Sequence, residues 1–260
     1  MAAKVKVVGN RKGGVLKTTS TLNLGWELAR AGMRVLLIDM DSQGNLTRYL
    51  TDEDKPLWLG DVIKERGAQL TDAIYPAIIG GEAQPNLHFV PGRPGDAMSK
   101  LDIDMISLPR REERLKLLLA PLLDQYDFVL IDTSPGTSVL GLNAVMAADS
   151  FLIPTEYTED SLQGVDTYLK HICDVKFVTE DDIDYRVLPA KVDKRETNAL
   201  AYGNEYLAAL HPERQTETVI WSRSVFKDAA TEGEPLSVVK PGHVAAMYYR
   251  NLAREVIEHG

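Results

Sequence analysis

Cysteine is almost absent: Cys173 is the single one in 260 residues. A lone thiol closes no intramolecular disulfide and supplies too few ligands for a zinc or iron–sulfur site within one chain. Its expected place is as a small, partly buried residue in a helix. Long apolar runs are absent too. No stretch approaches the roughly 20 apolar residues of a transmembrane helix. The opening MAAKVKVVGN lacks the apolar core of a secretory signal, so the cytoplasm is the expected compartment. Basic charge is in deficit, with 29 Lys and Arg against 38 Asp and Glu and a formal net charge of −9. A chain this acidic does not coat DNA or an anionic membrane with its whole surface, and binding to either requires a local basic patch. The sequence also lacks repeats, low-complexity tracts and an obvious linker.

What is present is ordinary for a globular protein: 44% hydrophobic and 26% charged residues. The length suits one α/β domain spanning 1–260 better than two small ones. Short apolar runs alternate with helical patterns. Strands are expected at Lys4–Gly9, Arg34–Asp39, Leu87–Val90, Asp127–Asp132, Ser150–Pro154 and Arg186–Lys191. Helices are expected at Thr18–Arg30, Arg111–Leu123, Ser161–Val175, Asn198–Leu210 and His243–His259. Such alternation predicts a mostly parallel, twisted sheet flanked by helices on both faces. Gly92–Pro109 is the least regular stretch and is expected to be a mobile loop. In the last helix, Val244, Met247, Tyr248, Leu252, Val256 and Ile257 fall at helical spacing and are expected to face the core.

The first strand runs into Asn10-Arg11-Lys12-Gly13-Gly14-Val15-Leu16-Lys17-Thr18-Thr19 and then a helix. Strand, glycine-rich turn, Lys-Thr and helix make the context of a phosphate-binding loop. Glycines let backbone N–H groups turn inward around phosphate oxygens, and the helix N-terminus adds its positive dipole end. Lys17 is the candidate to neutralise β/γ-phosphate charge, and the Thr18 hydroxyl the candidate to hold Mg²⁺. The general pattern G-x-x-x-x-G-K-[ST] is not met, because its glycines fall on Arg11 and Leu16. A leucine at position 16 must point away from the phosphates or crowd them. Two further strands end in acids. One runs into Asp39-Met40-Asp41-Ser42-Gln43-Gly44-Asn45, the other into Asp132-Thr133-Ser134-Pro135-Gly136. Ligands of open α/β sheets sit beyond the carboxyl ends of strands, where such acids can hold metal waters or orient an attacking water.

The loop resembles the deviant K-G-G-x-G-K-[ST] form of the ParA/MinD family, with Leu16 in place of its third glycine. The two acidic segments resemble that family's D-x-D-x-Q-G-N and D-x-P-P, with Ser42 and Ser134 where prolines usually stand. Asn143, Asp149, Pro154, Ser161 and Gly164 follow in the family's order. The likeness spans Val5 to Ile257, is strongest over Lys12–Asn45 and Asp127–Gly164, and weakens after about Lys191. It implies a P-loop NTPase fold and nucleotide binding by Lys12, Gly13, Gly14, Val15, Leu16, Lys17, Thr18 and Thr19. It implies Mg²⁺ near Thr18, Asp39 and Asp132, and ATP as the nucleotide. Lys12 would reach across a homodimer to the partner's nucleotide, Lys17 would serve the phosphates, and Asp41 would position the attacking water. Relatives often carry a proline near Trp221 beside the adenine, and none stands here.

Within the family, iron–sulfur carriers need cysteines this chain lacks. Neither an amphipathic membrane tail of the MinD kind at its end nor a helix-turn-helix domain ahead of the loop is expected, which leaves the small ParA type. That type resembles a timer: ATP closes the dimer, the dimer binds DNA without sequence preference on the nucleoid, and a ParB-like partner triggers slow hydrolysis. Lys191, Lys194, Arg195, Arg214, Arg223, Lys227, Lys240, Arg250 and Arg254 are the basic residues available for such a patch, with Lys194, Arg195, Arg223 and Lys227 the chosen group. The alternatives are a positioner of a protein cargo, a small-molecule ligase of the dethiobiotin or cobyrinic acid type, and a scaffold whose loop has decayed at Leu16.

Overall fold

The computed structural model describes residues 2–136 and 138–259. In chain order the elements are β1 (Lys4–Val8), α1 (Lys17–Arg30), β2 (Val35–Met40), α2 (Asn45–Leu50), α3 (Leu59–Lys64), β3 (Tyr75–Ile79), β4 (Glu82–Val90), α4 (Asp96–Met105) and α5 (Arg114–Leu119). There follow β5 (Phe128–Thr133), α6 (Val139–Ala147), β6 (Ser150–Thr155), α7 (Glu159–Lys176), β7 (Asp184–Val192), α8 (Thr197–Leu210), β8 (Ile220–Trp221), α9 (Val225–Glu232), α10 (Leu236–Val239) and α11 (Val244–His259). The strands form one eight-stranded sheet in the order β3-β4-β2-β5-β1-β6-β7-β8. Every pairing is parallel except the β3–β4 hairpin.

Strand periodicity splits the core into two layers. Leu36, Ile38, Val129 and Ile131 point to one face, where α3 to α7 pack. Val35, Leu37, Phe128 and Leu130 point to the other, beneath α1, α2, α9, α10 and α11. All six residues of β2 and of β5 are buried, which is why these strands read as continuous apolar runs rather than alternating ones. Each such side chain, fully removed from water, contributes about 1.5–3 kcal/mol. No helix among the described residues is long and apolar enough to cross a membrane.

Three expectations are corrected. Gly92–Pro109 is not a loop: it contains α4, whose Met98, Leu101 and Met105 are buried in the first layer. The glycine- and proline-rich flanks hide that helical spacing. The expected helix over Arg111–Leu123 is regular only from Arg114 to Leu119. Pro121 then falls in a 3₁₀ turn, Ala120–Leu122. In α11 the stripe is only partly as expected: Leu252 and Val256 are buried, together with Ala245, Ala246, Tyr249 and Ala253, and Tyr248 is half-buried, whereas Val244, Met247 and Ile257 are exposed. The alanines let α11 lie close on α1, where Tyr249 and Ser20 share a hydrogen bond of 3.1 Å.

Candidate functional site

Parallel pairing brings three strand ends together. Val8 lies beside Asp132, and Asp132 beside Asp39, in register across β1, β5 and β2. The loop leaving β1, residues 9–16, therefore faces the two acids.

Asn10, almost fully buried, fixes the start of that loop. Its Nδ2 donates to the Pro154 carbonyl at 2.8 Å, and its Oδ1 accepts from the Lys12 N–H at 2.9 Å. Gly164 on α7 permits this approach, since a Cβ there would come within 2.9 Å of Asn10 Oδ1. Gly14 turns the loop with φ +80°, a conformation that favours glycine. Val15 is buried. Leu16 adopts the left-handed conformation as well (φ 64°, ψ 30°), and its partly buried side chain packs against the second core layer. Of the two options the sequence left for Leu16, the side chain takes the one that points away.

Lys17 is 7% exposed and spans the loop, its Nζ donating to the Lys12 carbonyl at 3.0 Å. Burial lowers its pKa, opposed by the charges of Asp132 and Asp41. Thr21, one turn on in α1, lies 3.4 Å from Asp132 Oδ1. Asp132 has no solvent exposure, and its Oδ2 is buried without a hydrogen-bond partner among the described residues. Burial, then the charge of Asp39, hold its pKa well above the usual carboxylate range, while the Thr18 hydroxyl and Lys17 act in the opposite sense. Lys12 is exposed and pairs with Asp160, at the start of α7, at 3.2 Å.

The loop after β2 is organised by its own acids. Asp39 Oδ1 accepts from the Asp41 N–H at 3.1 Å, and Oδ2 accepts from the N–H and hydroxyl of Thr47 at 2.8 and 2.6 Å. Burial raises Asp39 to about 6 despite these donors. Asp41 Oδ1 accepts from the Gln43 N–H at 2.9 Å and the Ser134 hydroxyl at 2.8 Å. The structure thus gathers Lys17, Thr18, Asp39, Asp41 and Asp132 at one end of the sheet, with Lys12 on the rim. Sequence reasoning missed Asn10, Thr47 and Asp160. Only Asn10, adjoining the loop, carried any signal.

The four basic residues chosen for a patch lie past the ends of β7 and β8, at the same end of the sheet as the loop. Lys194 Nζ stacks 4.3 Å from the centre of the Trp221 ring. Arg195 is tied to Asp193 at 2.6 Å. Arg223 and Lys227 are exposed and make no ion pair among the described residues. The run Asn143 to Gly164 supports the fold around the site: Asn143 caps contacts of α5 and α6, and Asp149 accepts from the Val5 N–H.

Comparison with known proteins places this geometry in context. Residues 3–185 match the family model described as an AAA domain. The chain is 32% identical over 260 residues to the sporulation initiation inhibitor protein Soj of Bacillus subtilis, covering 99% of each. It superposes on apo McdA of Cyanothece with TM-score 0.82 at 25% identity, covering 98% of this chain and 99% of that one. It superposes on a cobyrinic acid a,c-diamide synthase of Mycobacterium smegmatis, bound to ADP and magnesium, with TM-score 0.80 at 26% identity, covering 99% and 95%.

Proposed function

The chain belongs to the ParA/Soj family of P-loop ATPases, and on that premise we propose that it is an ATP-dependent dimerising switch. In this reading it hydrolyses ATP slowly, binds DNA non-specifically while its homodimer is closed, and partitions plasmid or chromosomal DNA with a ParB-like partner in the cytoplasm. In the same reading residues 1–260 form a single domain. The observation that carries the reading is the convergence of the buried Lys17 with Asp132, whose Oδ2 is a buried acceptor without a partner among the described residues. A buried carboxylate oxygen with no donor, beside a cation spanning a phosphate-type loop, fits a site for a nucleotide and a divalent metal.

The N–H groups of Gly13 to Thr19 line the phosphates. Lys17 neutralises their charge, and Thr18 and Asp132 hold Mg²⁺, with Asp39 behind them fixing the loop. The metal, when bound, supplies a Lewis acid that offsets charge on the β- and γ-phosphates. Asp41 holds the attacking water through the carboxylate oxygen that its loop contacts leave over. Lys12, at the rim, serves the nucleotide of the second protomer once freed from Asp160.

DNA contact falls to Lys194, Arg195, Arg223 and Lys227. An acidic monomer carries too few of these to hold a duplex, and pairing two protomers doubles the local positive charge. Affinity set by counterion release then rises steeply on dimerisation and falls steeply with salt. Duplex binding measured with a slowly hydrolysed ATP analogue and with ADP tests this. Binding is expected with the analogue, little with ADP, and loss between roughly 50 and 200 mM salt. Arg223→Glu with Lys227→Glu should remove it while sparing nucleotide binding. Equal affinity in both nucleotide states refutes the switch. A nucleotide-closed dimer without DNA binding favours positioning of a protein cargo instead.

A further inference from the structure

Two departures from the family pattern meet in space. Ser42 and Ser134 each stand where relatives usually carry proline, 92 residues apart in sequence, one after β2 and one after β5. The Ser42 N–H donates to Ser134 Oγ at 2.9 Å. Ser134 Oγ in turn lies 2.8 Å from Asp41 Oδ1 and 3.4 Å from Ser42 Oγ. Neither bond is available to the proline form, since proline has no N–H to give at 42 and no hydroxyl at 134.

The chemistry fixes the direction of this short chain. A serine hydroxyl has one proton. With the Ser42 N–H directed at its oxygen, its own proton goes to the nearest strong acceptor, the Asp41 carboxylate, in a charge-assisted bond. Asp41 Oδ1 then holds two donors, Ser134 and the Gln43 N–H. Asp41 Oδ2 accepts no hydrogen bond among the described residues. The carboxylate is pinned on one oxygen with the other left to act.

We propose that Ser134, oriented by the Ser42 N–H, is a positioning residue for Asp41, replacing by hydrogen bonds the rigidity that proline supplies elsewhere in the family. The proposal rests on the assignment of Asp41 to the attacking water. Its consequence is kinetic: a carboxylate free to rotate loses near-attack geometry without loss of phosphate binding.

Phosphate release by the full chain, with Mg²⁺ and ATP, tests it, with affinity for a slowly hydrolysed analogue measured in parallel. Ser134→Ala should lower kcat on the order of 10-fold, less than the roughly 10²-fold that a 1 Å misplacement can cost, while KM and analogue affinity hold. Ser134→Thr, which keeps the hydroxyl, should restore turnover. Ser42→Pro, which removes the orienting N–H together with the Ser42 hydroxyl and installs the family's usual residue, should lower kcat less than Ser134→Ala, because the Ser134–Asp41 bond remains. Turnover unmoved by Ser134→Ala overturns the proposal, as does a loss that Thr fails to rescue or one expressed only in KM. Parental turnover in Asp41→Ala overturns the reading of Asp41, and this proposal with it.

Discussion

Replacing Asp132 with asparagine should make the nucleotide-free protein more stable and the site useless. Asp132 is wholly buried, lies in register beside Asp39, and has an oxygen without a donor. An unsatisfied buried polar group costs about 1–3 kcal/mol, and a charged one more. Asparagine keeps the shape and can still accept from Thr21, but its amide leaves one end unpaired where Oδ2 stood, so what is recovered is the excess cost of a buried charge over a buried neutral group. A gain of about 1–3 kcal/mol is expected, and at roughly 2–4 °C per kcal/mol for a domain of this size the melting temperature should rise by about 2–12 °C. The same change removes the anionic oxygen assigned to the metal, so Mg²⁺-dependent binding of an ATP analogue, followed by calorimetry, should be lost. Asp39 adds a pH signature. Its pKa is raised from 3.8 to about 6, so the folded state binds a proton more tightly than the unfolded chain does. That contribution is fully present below the unfolded value and is lost as pH rises through about 6. A shift of roughly 2 units corresponds to about 3 kcal/mol. Nucleotide-free protein should therefore melt higher at pH 5 than at pH 7.5 as far as this group decides it. An Asp132→Asn protein that melts no higher than the parent at pH 7.5, or that still binds the magnesium nucleotide, would refute the reasoning.

Leu16 holds a left-handed conformation that costs a non-glycine residue about 1–2 kcal/mol, partly offset by its packing on the second layer. Leu16→Ala keeps the strain and loses the packing, whereas Leu16→Gly loses both. Leu16→Gly should therefore melt above Leu16→Ala, and the reverse order in calorimetry sinks this account of the loop. Because the side chain points into the core, Leu16→Gly should shift analogue affinity by little, and a large gain would restore the case for crowding at the phosphates. Asp41→Ala should bind the ATP analogue normally, release no phosphate and accumulate as a dimer by light scattering. Parental turnover in that variant removes Asp41 from the site.

The central strands were legible because burial on both faces leaves unbroken apolar runs. Val35–Met40 and Phe128–Thr133 differ from the expected Arg34–Asp39 and Asp127–Asp132 by one residue at each end. Elements stabilised by tertiary contact were not. β8 is two residues long and owes its existence to pairing with β7. β3 contains Pro76, and it forms as the single antiparallel strand beside β4. Helix α4 has a clear buried stripe, but Gly92, Pro94 and Gly95 on one side and Pro109 on the other disguise it as loop. The face of α11 differs from expectation for another reason. Large apolar residues at helical spacing point to the core, yet close packing on α1 selects alanine beside Tyr249 and Leu252, and the bulkier Met247 and Val244 are left outside.

The candidate site was legible to the extent that its chemistry is carried by charged residues at strand ends, and opaque where backbone geometry does the holding. Asp39, Asp41 and Asp132 can be named from the sequence because they follow apolar strands at the sheet's carboxyl edge, where ligands sit, and Lys17 because it follows a glycine-rich turn at a helix start. Nothing in a sequence says that Thr47 will cap Asp39 through both its N–H and hydroxyl, or that Asn10 will bridge the loop to Pro154. These residues act through distance, and distance is set by the packing of elements far apart in the chain. The two serines show the general case. Taken singly, Ser42 and Ser134 are each a missing proline and each suggests a loosened loop. In the folded chain the N–H that proline would have removed meets the hydroxyl that proline would have lacked, and together they fasten Asp41. A departure from a family pattern is therefore to be judged with whatever it touches, since two losses of rigidity can combine into one hydrogen-bonded constraint.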